Sequence, residues 1–156
     1  MKRIAARSSA LIGTTVALLF VGNSMAHAQT GTWSLSTTGA SSSGSWSTSA
    51  QTYSFSASVK DTKADGSCAY ITFRPKVHYG YTGTWFGVGL SGYELRKEVC
   101  GNGTTLYTWP SINVLDKMSA LDKTAGDKIK MNIRVCRNVN NAGDNCSEMD
   151  TPPIDF

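Results

Sequence analysis

The residue types that enzymes use for proton transfer are scarce in this sequence. Beyond residue 28 it holds one histidine, His78, so any Ser-His-Asp or Cys-His scheme would depend on that side chain. No serine lies in a G-x-S-x-G elbow. His78 lies beside Tyr79 and close to Pro75 in the sequence, which favours a position in a loop. We therefore expect a protein that is not an enzyme and that has no catalytic residue.

Glu94 and Glu98 are the pair of carboxylates that invites comparison with glycoside hydrolases. Four positions apart on a strand, they would be about 13 Å apart at about 3.3 Å per residue. Both hydrolase geometries need a separation of at most about 9.5 Å. Arg96 between them fits better as an ion-pair partner. No set of His, Cys or carboxylate side chains has the spacing of a metal site, so we expect neither a metal nor a cofactor.

Four cysteines follow residue 28, and in an exported protein they predict two disulfides. Four cysteines allow three connectivities, of which spacing favours Cys68–Cys100 with Cys136–Cys146. A zinc site is disfavoured because no C-x-x-C pair is present. In each predicted strand the cysteine lies on the polar face, opposite the apolar side chains; this holds for Cys68, Cys100 and Cys136. We therefore expect disulfides at strand ends or on outer faces, and not between the two sheets.

Aromatic side chains provide the predicted binding surface. Tyr79, Tyr81 and Trp85 share one parity and would face the same side of a continuous strand, beside Gly87 and Gly89. Flat aromatic faces stack on sugar rings or on the side chains of a partner protein. The alternative is structural, since a tryptophan often packs over a glycine of the adjacent strand.

The elements that position these residues begin after an export signal. Lys2 and Arg3 precede an apolar run over residues 10–22, and Ala26-His27-Ala28 fits the small-residue cleavage pattern. Residues 1–28 therefore form a predicted signal peptide, with the mature protein beginning at Gln29. A membrane anchor is disfavoured because the run is short and contains polar residues.

The mature chain is almost neutral. Three of the 15 Lys and Arg residues lie in the signal, which leaves 12 against 11 acidic residues and a net charge of +1. A protein with this balance of charges lacks the excess of positive charge that is typical of proteins that bind nucleic acid or an anionic membrane. We expect neither as a partner, and we expect the mature protein to be extracellular.

Residues 29–52 consist mainly of Ser, Thr and Gly, with Trp33, Leu35 and Trp46 as isolated apolar positions. This composition is typical of a flexible arm, and an arm carrying Trp33 and Trp46 would suit a partner-binding strand. Residues 32–36 alternate, however, so the segment also fits a first strand folded onto its own domain. The second interpretation is favoured.

The remaining residues, 53–156, form one predicted β-domain. Alternation over 53–60 and 69–74, with Asp65-Gly66 between the two runs, predicts a β-hairpin. Residues 128–135 form the clearest later strand, and spacing over 115–126 predicts one short helix. About seven short antiparallel strands indicate an all-β, disulfide-stabilised β-sandwich.

Two stretches resemble known sequences. D-T-K-A-D-G at 61–66 with C-A-Y at 68–70, and V-C-R-N-V at 135–139 with D-N-C-S at 144–147, are similar to uncharacterised small secreted actinobacterial β-sandwich proteins. More loosely, the chain resembles the small adaptor subunits of umbrella-shaped secreted toxin particles. That resemblance implies a link between a repeat-bearing scaffold and a lectin-like subunit, and it brings no catalytic motif.

Three functions stay open at this point, all non-enzymatic. The first is a protein-binding adaptor of an extracellular assembly, which would use the arm with Trp33 and Trp46 or an exposed sheet edge. The second is a carbohydrate-binding module that would use Tyr79, Tyr81 and Trp85. The third is a secreted enzyme inhibitor whose disulfide-framed loop at 137–145 would enter the cleft of its target.

Overall fold

The computed structural model describes residues 28–89, 95–139 and 143–156. The signal peptide predicted over 1–28 lies outside them except for Ala28, as do Glu94 and residues 140–142 of the predicted inhibitor loop. Within the described ranges the elements are β1 (Thr30–Thr37), β2 (Ala40–Ser49), β3 (Thr52–Asp61), β4 (Cys68–Tyr79), β5 (Thr84–Gly87), β6 (Arg96–Cys100), β7 (Thr104–Asn113), α1 (Val114–Lys117), α2 (Ala120–Ala125), β8 (Lys128–Asn138), β9 (Asn145–Asp150) and β10 (Ile154–Asp155).

The strands form two antiparallel sheets. The first sheet has the order β1-β2-β3-β7, and the second has the order β10-β8-β4-β5, with β6 also paired to β4 and β9 to β8. Phe55 of the first sheet stacks on Phe73 of the second, with ring centroids 4.1 Å apart, and Trp33 and Trp109 meet Phe73 edge-on. The predicted all-β, disulfide-stabilised sandwich is therefore confirmed.

The predicted hairpin between residues 53 and 74 is wrong. β3 pairs with β2 and β7, whereas β4 pairs with β5, β6 and β8, so the two strands belong to different sheets. Alternation shows which side chains are buried but does not identify the neighbouring strand. The buried Asp61 ends β3, and its carboxylate accepts hydrogen bonds from the backbone N–H groups of Lys63 and Asn102. These bonds fix the chain where it leaves the first sheet.

Residues 29–52 fold as strands β1 and β2 and not as a free arm. Trp33 and Trp46 are only 4% and 5% exposed, so neither is available to a partner. Trp33 lies opposite Gly44, and Trp46 lies opposite Gly31. Each indole occupies space that a side chain at the opposing glycine would need, since its carbon atoms lie 2.4 Å and 2.7 Å, respectively, from where a Cβ would be. In this part of the core, each tryptophan side chain therefore fills the space left by the glycine on the opposite strand.

The segment predicted as one helix contains two, α1 and α2. Met118 and Ser119 between them have extended backbone. Each helix begins at a capping side chain, since Asn113 accepts from the N–H of Asp116 and Ser119 from that of Asp122. Across the described ranges, no helix combines the length and apolar character needed to cross a membrane.

Both disulfides lie within the second sheet. Cys68 is bonded to Cys100, and Cys136 to Cys146. In each case the two residues oppose one another on neighbouring strands, β4 with β6 and β8 with β9. The pairing favoured by spacing is confirmed, and neither bridge crosses the core between the sheets.

Candidate functional site

A turn over residues 80–83 divides the aromatic surface that the sequence predicts. β4 and β5 pair with His78 opposite Trp85 and Tyr79 opposite Thr84. Directly opposed residues of an antiparallel pair point to the same face, so Trp85 lies on the His78 side and Tyr79 on the other. The prediction that Tyr79, Tyr81 and Trp85 share a face is therefore wrong. Its cause is the turn, in which Gly83 has a left-handed φ of 65°.

Tyr79 and Tyr81 lie instead on one cleft with Phe86, Leu121 and Asp122, and we call these five residues the tip patch. The ring of Tyr79 is 5.8 Å from that of Tyr81 and 5.3 Å from that of Phe86, measured between centroids. The cleft has a volume of about 430 Å³. Tyr81, Leu121 and Phe86 are 79%, 71% and 47% exposed.

The backbone beside the tip patch leaves its cleft open. Gly87 and Gly89 line the cleft, and a Cβ at either position would meet no atom of the described residues within 4 Å. The room that the sequence predicts near these two glycines is therefore present. It borders Tyr79 and Tyr81, however, and not Trp85.

A hydrogen-bond network fixes the tip patch to helix α2. The Tyr79 hydroxyl donates to the Asp122 carboxylate, whose other oxygen accepts from Ser119 Oγ at 2.6 Å. The hydrogen bond to the Asp122 carboxylate raises the pKa of Tyr79 to about 12, because it stabilises the protonated phenol. The central ring of the patch is thus held in place before any partner arrives, which lowers the entropic cost of binding.

The ring of Trp85, on the opposite face, is in contact with neighbouring side chains. Lys130 Nζ lies 4.3 Å from the centre of its ring, and the His78 ring is 5.2 Å away. His78 Nδ1 is 2.6 Å from Asp127 Oδ1, and this hydrogen bond lowers the pKa of Asp127. All four cysteines are bridged, and within the described chain no serine hydroxyl is hydrogen-bonded to His78. The imidazole therefore has a carboxylate neighbour but, among these residues, no nucleophile bonded to it.

The outward face of the first sheet is a second distinctive surface, which we call the hydroxyl face. Its described side chains are mostly short hydroxyls, with Lys60, Leu106 and Asn113 as exceptions. Register aligns these side chains in rows across the four strands, and two shallow depressions of about 420 and 250 Å³ lie on them. The hydroxyl side chains are Thr30, Thr32, Ser34, Ser36, Ser41, Ser43, Ser45, Ser47, Ser49, Thr52, Ser54, Ser56, Ser58, Thr104, Thr108 and Ser111.

The outward face of the second sheet has the opposite character, because it is charged and its charges are paired. Lys76 and Lys130 both contact Asp150, at 3.0 and 2.7 Å, and Arg134 contacts Glu148 at 3.0 Å. Burial raises the pKa of Asp150, but hydrogen bonds from Lys130, Asn132 and Lys76 outweigh that effect, so the pKa is lowered. The hydroxyl face carries no comparable network among its described residues.

One group of side chains has the separation of a metal site. The sulfurs of Cys68 and Cys100 and a carboxylate oxygen of Glu98 lie within 4.8 Å of one another. The two sulfurs are bonded to each other, so neither is a thiolate that could bind a metal ion. Glu98 is also paired with Arg96 at 2.6 Å. This cluster therefore does not form a metal centre in the oxidised protein.

The sequence identifies part of the tip patch and misses the rest. Tyr79 and Tyr81 are predicted binding residues, but Leu121 and Asp122 are predicted only as part of a helix. Leu121 is exposed, whereas Met118, three positions earlier, is buried. No sequence signal connects α2 to the β4–β5 turn, since Asp122 of α2 lies 43 positions beyond Tyr79 along the chain. Comparison with protein-family models and with curated proteins finds no match to this chain.

Proposed function

We propose that this chain is a non-enzymatic secreted binding protein that attaches through the tip patch to another protein of an extracellular assembly. The observation that carries the proposal is the clustering of Tyr81, Phe86 and Leu121 around one cleft. Leu106, which is 80% exposed, stands apart from them on the hydroxyl face. Single exposed apolar residues are ordinary, whereas clustered ones mark interaction sites.

The chemistry of the patch favours a protein partner over a sugar. Leu121 and the neighbouring Val88 are aliphatic, and they add apolar area but no flat ring on which a sugar could stack. The Asp122 carboxylate is already engaged by Tyr79 and Ser119, so it is not free to orient sugar hydroxyls. Tyr79 is held in place by its hydrogen bond to Asp122, and tyrosines are typical of the residues that dominate the energy of protein interfaces.

The setting of the patch also supports an adaptor role outside the cell. Two disulfides indicate an oxidising environment, and residues 1–28 have the pattern of an export signal. An adaptor must hold two partners at once, so it needs a second surface apart from the first. The hydroxyl face belongs to the first sheet, whereas β4 and β5 of the tip patch belong to the second.

The test is co-purification from the culture fluid of the producing organism. Tagged protein should recover a partner protein, and the double variant Tyr81→Ser with Leu121→Ser should lose it. Leu106→Ser is the matched control because it also removes an exposed leucine, but on the hydroxyl face. The recovered partner is then purified and mixed with each variant. Equal recovery by the double variant and by the control would refute the proposal.

The hydroxyl face favours a second candidate function, the binding of a neutral carbohydrate. Its rows of hydroxyls both donate and accept hydrogen bonds, and its depressions are almost without charge. Native electrophoresis in gels that contain soluble glucans, together with adsorption to cellulose and chitin, tests this idea. Ser56→Glu should abolish any retardation, whereas Asn138→Glu on the second sheet should not. No retardation or adsorption of the unaltered protein would exclude this function for these polymers.

A further inference from the structure

The first residue of the predicted mature chain, Gln29, lies at the start of β1 and is anchored there. Its backbone N–H donates to Thr48 Oγ1 at 3.1 Å, and its carbonyl accepts from the Thr48 N–H at 2.7 Å. Thr48 itself is buried. Removal of residues 1–28 would convert the Gln29 amide nitrogen into a free amino group at this position.

We propose that Gln29 is a modification site, at which the new amino terminus closes on its own side chain to give pyroglutamate. The α-amino nitrogen attacks the side-chain carbon Cδ, so that an N–Cδ bond forms and the Cδ–Nε2 bond breaks. Nε2 leaves as ammonia and carries away one of the amine hydrogens. The step needs no oxidant or cofactor, and its intramolecular geometry places both reacting groups in one residue. The inference rests on the export and cleavage proposed above.

The surroundings of Gln29 suit the cyclic form. The lactam nitrogen keeps one hydrogen, so it can still donate to Thr48 Oγ1, and the backbone carbonyl that accepts from Thr48 is unchanged. The free amino group would instead carry a positive charge beside a buried side chain and at one end of the hydroxyl face. Ring closure removes that charge together with the cost of partly desolvating it.

The side chain of Gln29 gains little by remaining open. Its carbonyl Oε1 is buried and has no hydrogen-bond partner within the described residues. A buried acceptor without a partner costs free energy relative to one in water. Cyclisation releases Nε2, keeps Oε1 as the carbonyl oxygen of the lactam, and replaces a flexible side chain with a ring, which lowers the conformational freedom of the residue that precedes the edge strand β1.

The consequence is a neutral, blocked amino terminus. Aminopeptidases need a free α-amino group, so the cyclised chain would resist degradation from the end of β1. The strand lies at the edge of the first sheet, paired only with β2 among the described strands. Strand ends at chain termini are the parts of a sheet that fray most readily. A blocked residue anchored to Thr48 would protect this end.

The test is the intact mass of mature protein secreted from the full-length gene. We expect a mass one ammonia lighter than that of residues 29–156, no signal in stepwise amino-terminal degradation, and removal of one residue by pyroglutamyl aminopeptidase. The control is Gln29→Glu, which keeps the same shape but cyclises far more slowly and should retain an open amino terminus. An unaltered mass for a chain that begins at Gln29 would overturn the cyclisation alone. A chain that begins elsewhere would overturn the cleavage on which it rests, without bearing on the tip patch.

Discussion

Gly44→Ala is the substitution that tests most sharply whether the Ser-rich strands belong to the folded core. A Cβ at this position would lie 2.2 Å from the carbonyl oxygen of Ser56 and 2.4 Å from a ring carbon of Trp33. Both distances are far below van der Waals contact. Trp33 cannot simply turn away, because its indole N–H donates to Ser42 Oγ at 3.2 Å and its ring packs against Phe73.

The expected loss of stability follows from three contributions. Overpacking of a well-packed core costs about 1–3 kcal/mol, and loss of the indole hydrogen bond adds about 1 kcal/mol. Replacing glycine with alanine restricts the unfolded chain and returns about 0.4–1 kcal/mol. The net change in the free energy of unfolding is therefore a loss of about 1–4 kcal/mol, with a central value of about 2 kcal/mol, which would lower the urea midpoint by roughly 1 M at an m-value of about 2 kcal/mol per M.

The assay is equilibrium unfolding in urea with both disulfides intact. Gly87→Ala is the matched control, because a Cβ there meets nothing within 4 Å in the part of the chain that the structure describes, and the free energy of unfolding should change by less than about 0.5 kcal/mol. Gly31→Ala should fall between the two, since the three atoms nearest to its Cβ all belong to the indole of Trp46, at 2.7 Å, and none of them is a backbone atom. Equal midpoints for Gly44→Ala and Gly87→Ala would refute the proposed packing of Trp33 over Gly44.

Three further predictions concern the bridges and the titrating groups. Replacing Cys68 and Cys100 with alanine should lower the free energy of unfolding by about 4 kcal/mol, because the disulfide closes a loop between residues 32 positions apart and so restricts the unfolded chain. Unfolding in urea measures this loss, and an unchanged urea midpoint would contradict the prediction. In alkaline absorbance titration, Asp122→Asn should move one tyrosine from a pKa of about 12 toward the ordinary 10.0; an unaltered curve would show that the Tyr79 hydrogen bond is not made in solution. The hydrogen bond from His78 lowers the pKa of Asp127 below its ordinary value of 3.8. The ionised Asp127 carboxylate therefore stabilises the folded protein above pH 3.8, and this contribution is lost as the pH falls through the folded-state pKa. The variant Asp127→Asn should therefore have a lower free energy of unfolding than the unaltered protein at neutral pH, and the two values should converge in acid. A difference that persists well below pH 3.8 would contradict the stabilising role of the His78–Asp127 hydrogen bond.

The sequence predicts the faces of strands more reliably than their neighbours. Alternation over residues 53–60 and 128–135 identifies strands β3 and β8 and the side chains that they bury. The same alternation cannot distinguish a hairpin from a crossing between sheets, because both arrangements bury the same face of β3 and of β4. The short segment with Asp65-Gly66 favours the hairpin from local turn chemistry alone. Pairing with β7, which lies more than 40 residues further along the chain, decides the actual sheet.

The N-terminal strands show why composition can mislead. Residues 29–52 contain few apolar side chains, which argues for a flexible arm. A strand with one face in water needs apolar residues only on the other face, and Trp33 and Trp46 fill that face by covering glycines. Most of the short hydroxyl side chains that suggest flexibility form the outward half of an ordinary alternation, and Ser42 and Thr48 on the inward half are buried and hydrogen-bonded.

The tip patch could be predicted only in part. Tyr79 and Tyr81 stand out as aromatics beside glycines, but the turn at residues 80–83 decides which face each occupies. Leu121 joins them through tertiary packing of α2 against the β4–β5 turn, which the Tyr79–Asp122 hydrogen bond fixes. Neither local propensity nor hydrophobic period contains that information.

The most direct test of the tip patch as a protein-binding surface is the equilibrium dissociation constant for the purified extracellular partner. It is measured for the unaltered protein, for Tyr81→Ser with Leu121→Ser, and for Leu106→Ser. If the patch carries the interface, the double variant should bind at least about tenfold more weakly, as expected when central anchors worth more than about 1.4 kcal/mol are removed, and Leu106→Ser should bind unchanged. A double variant that binds as tightly as the unaltered protein would contradict the account.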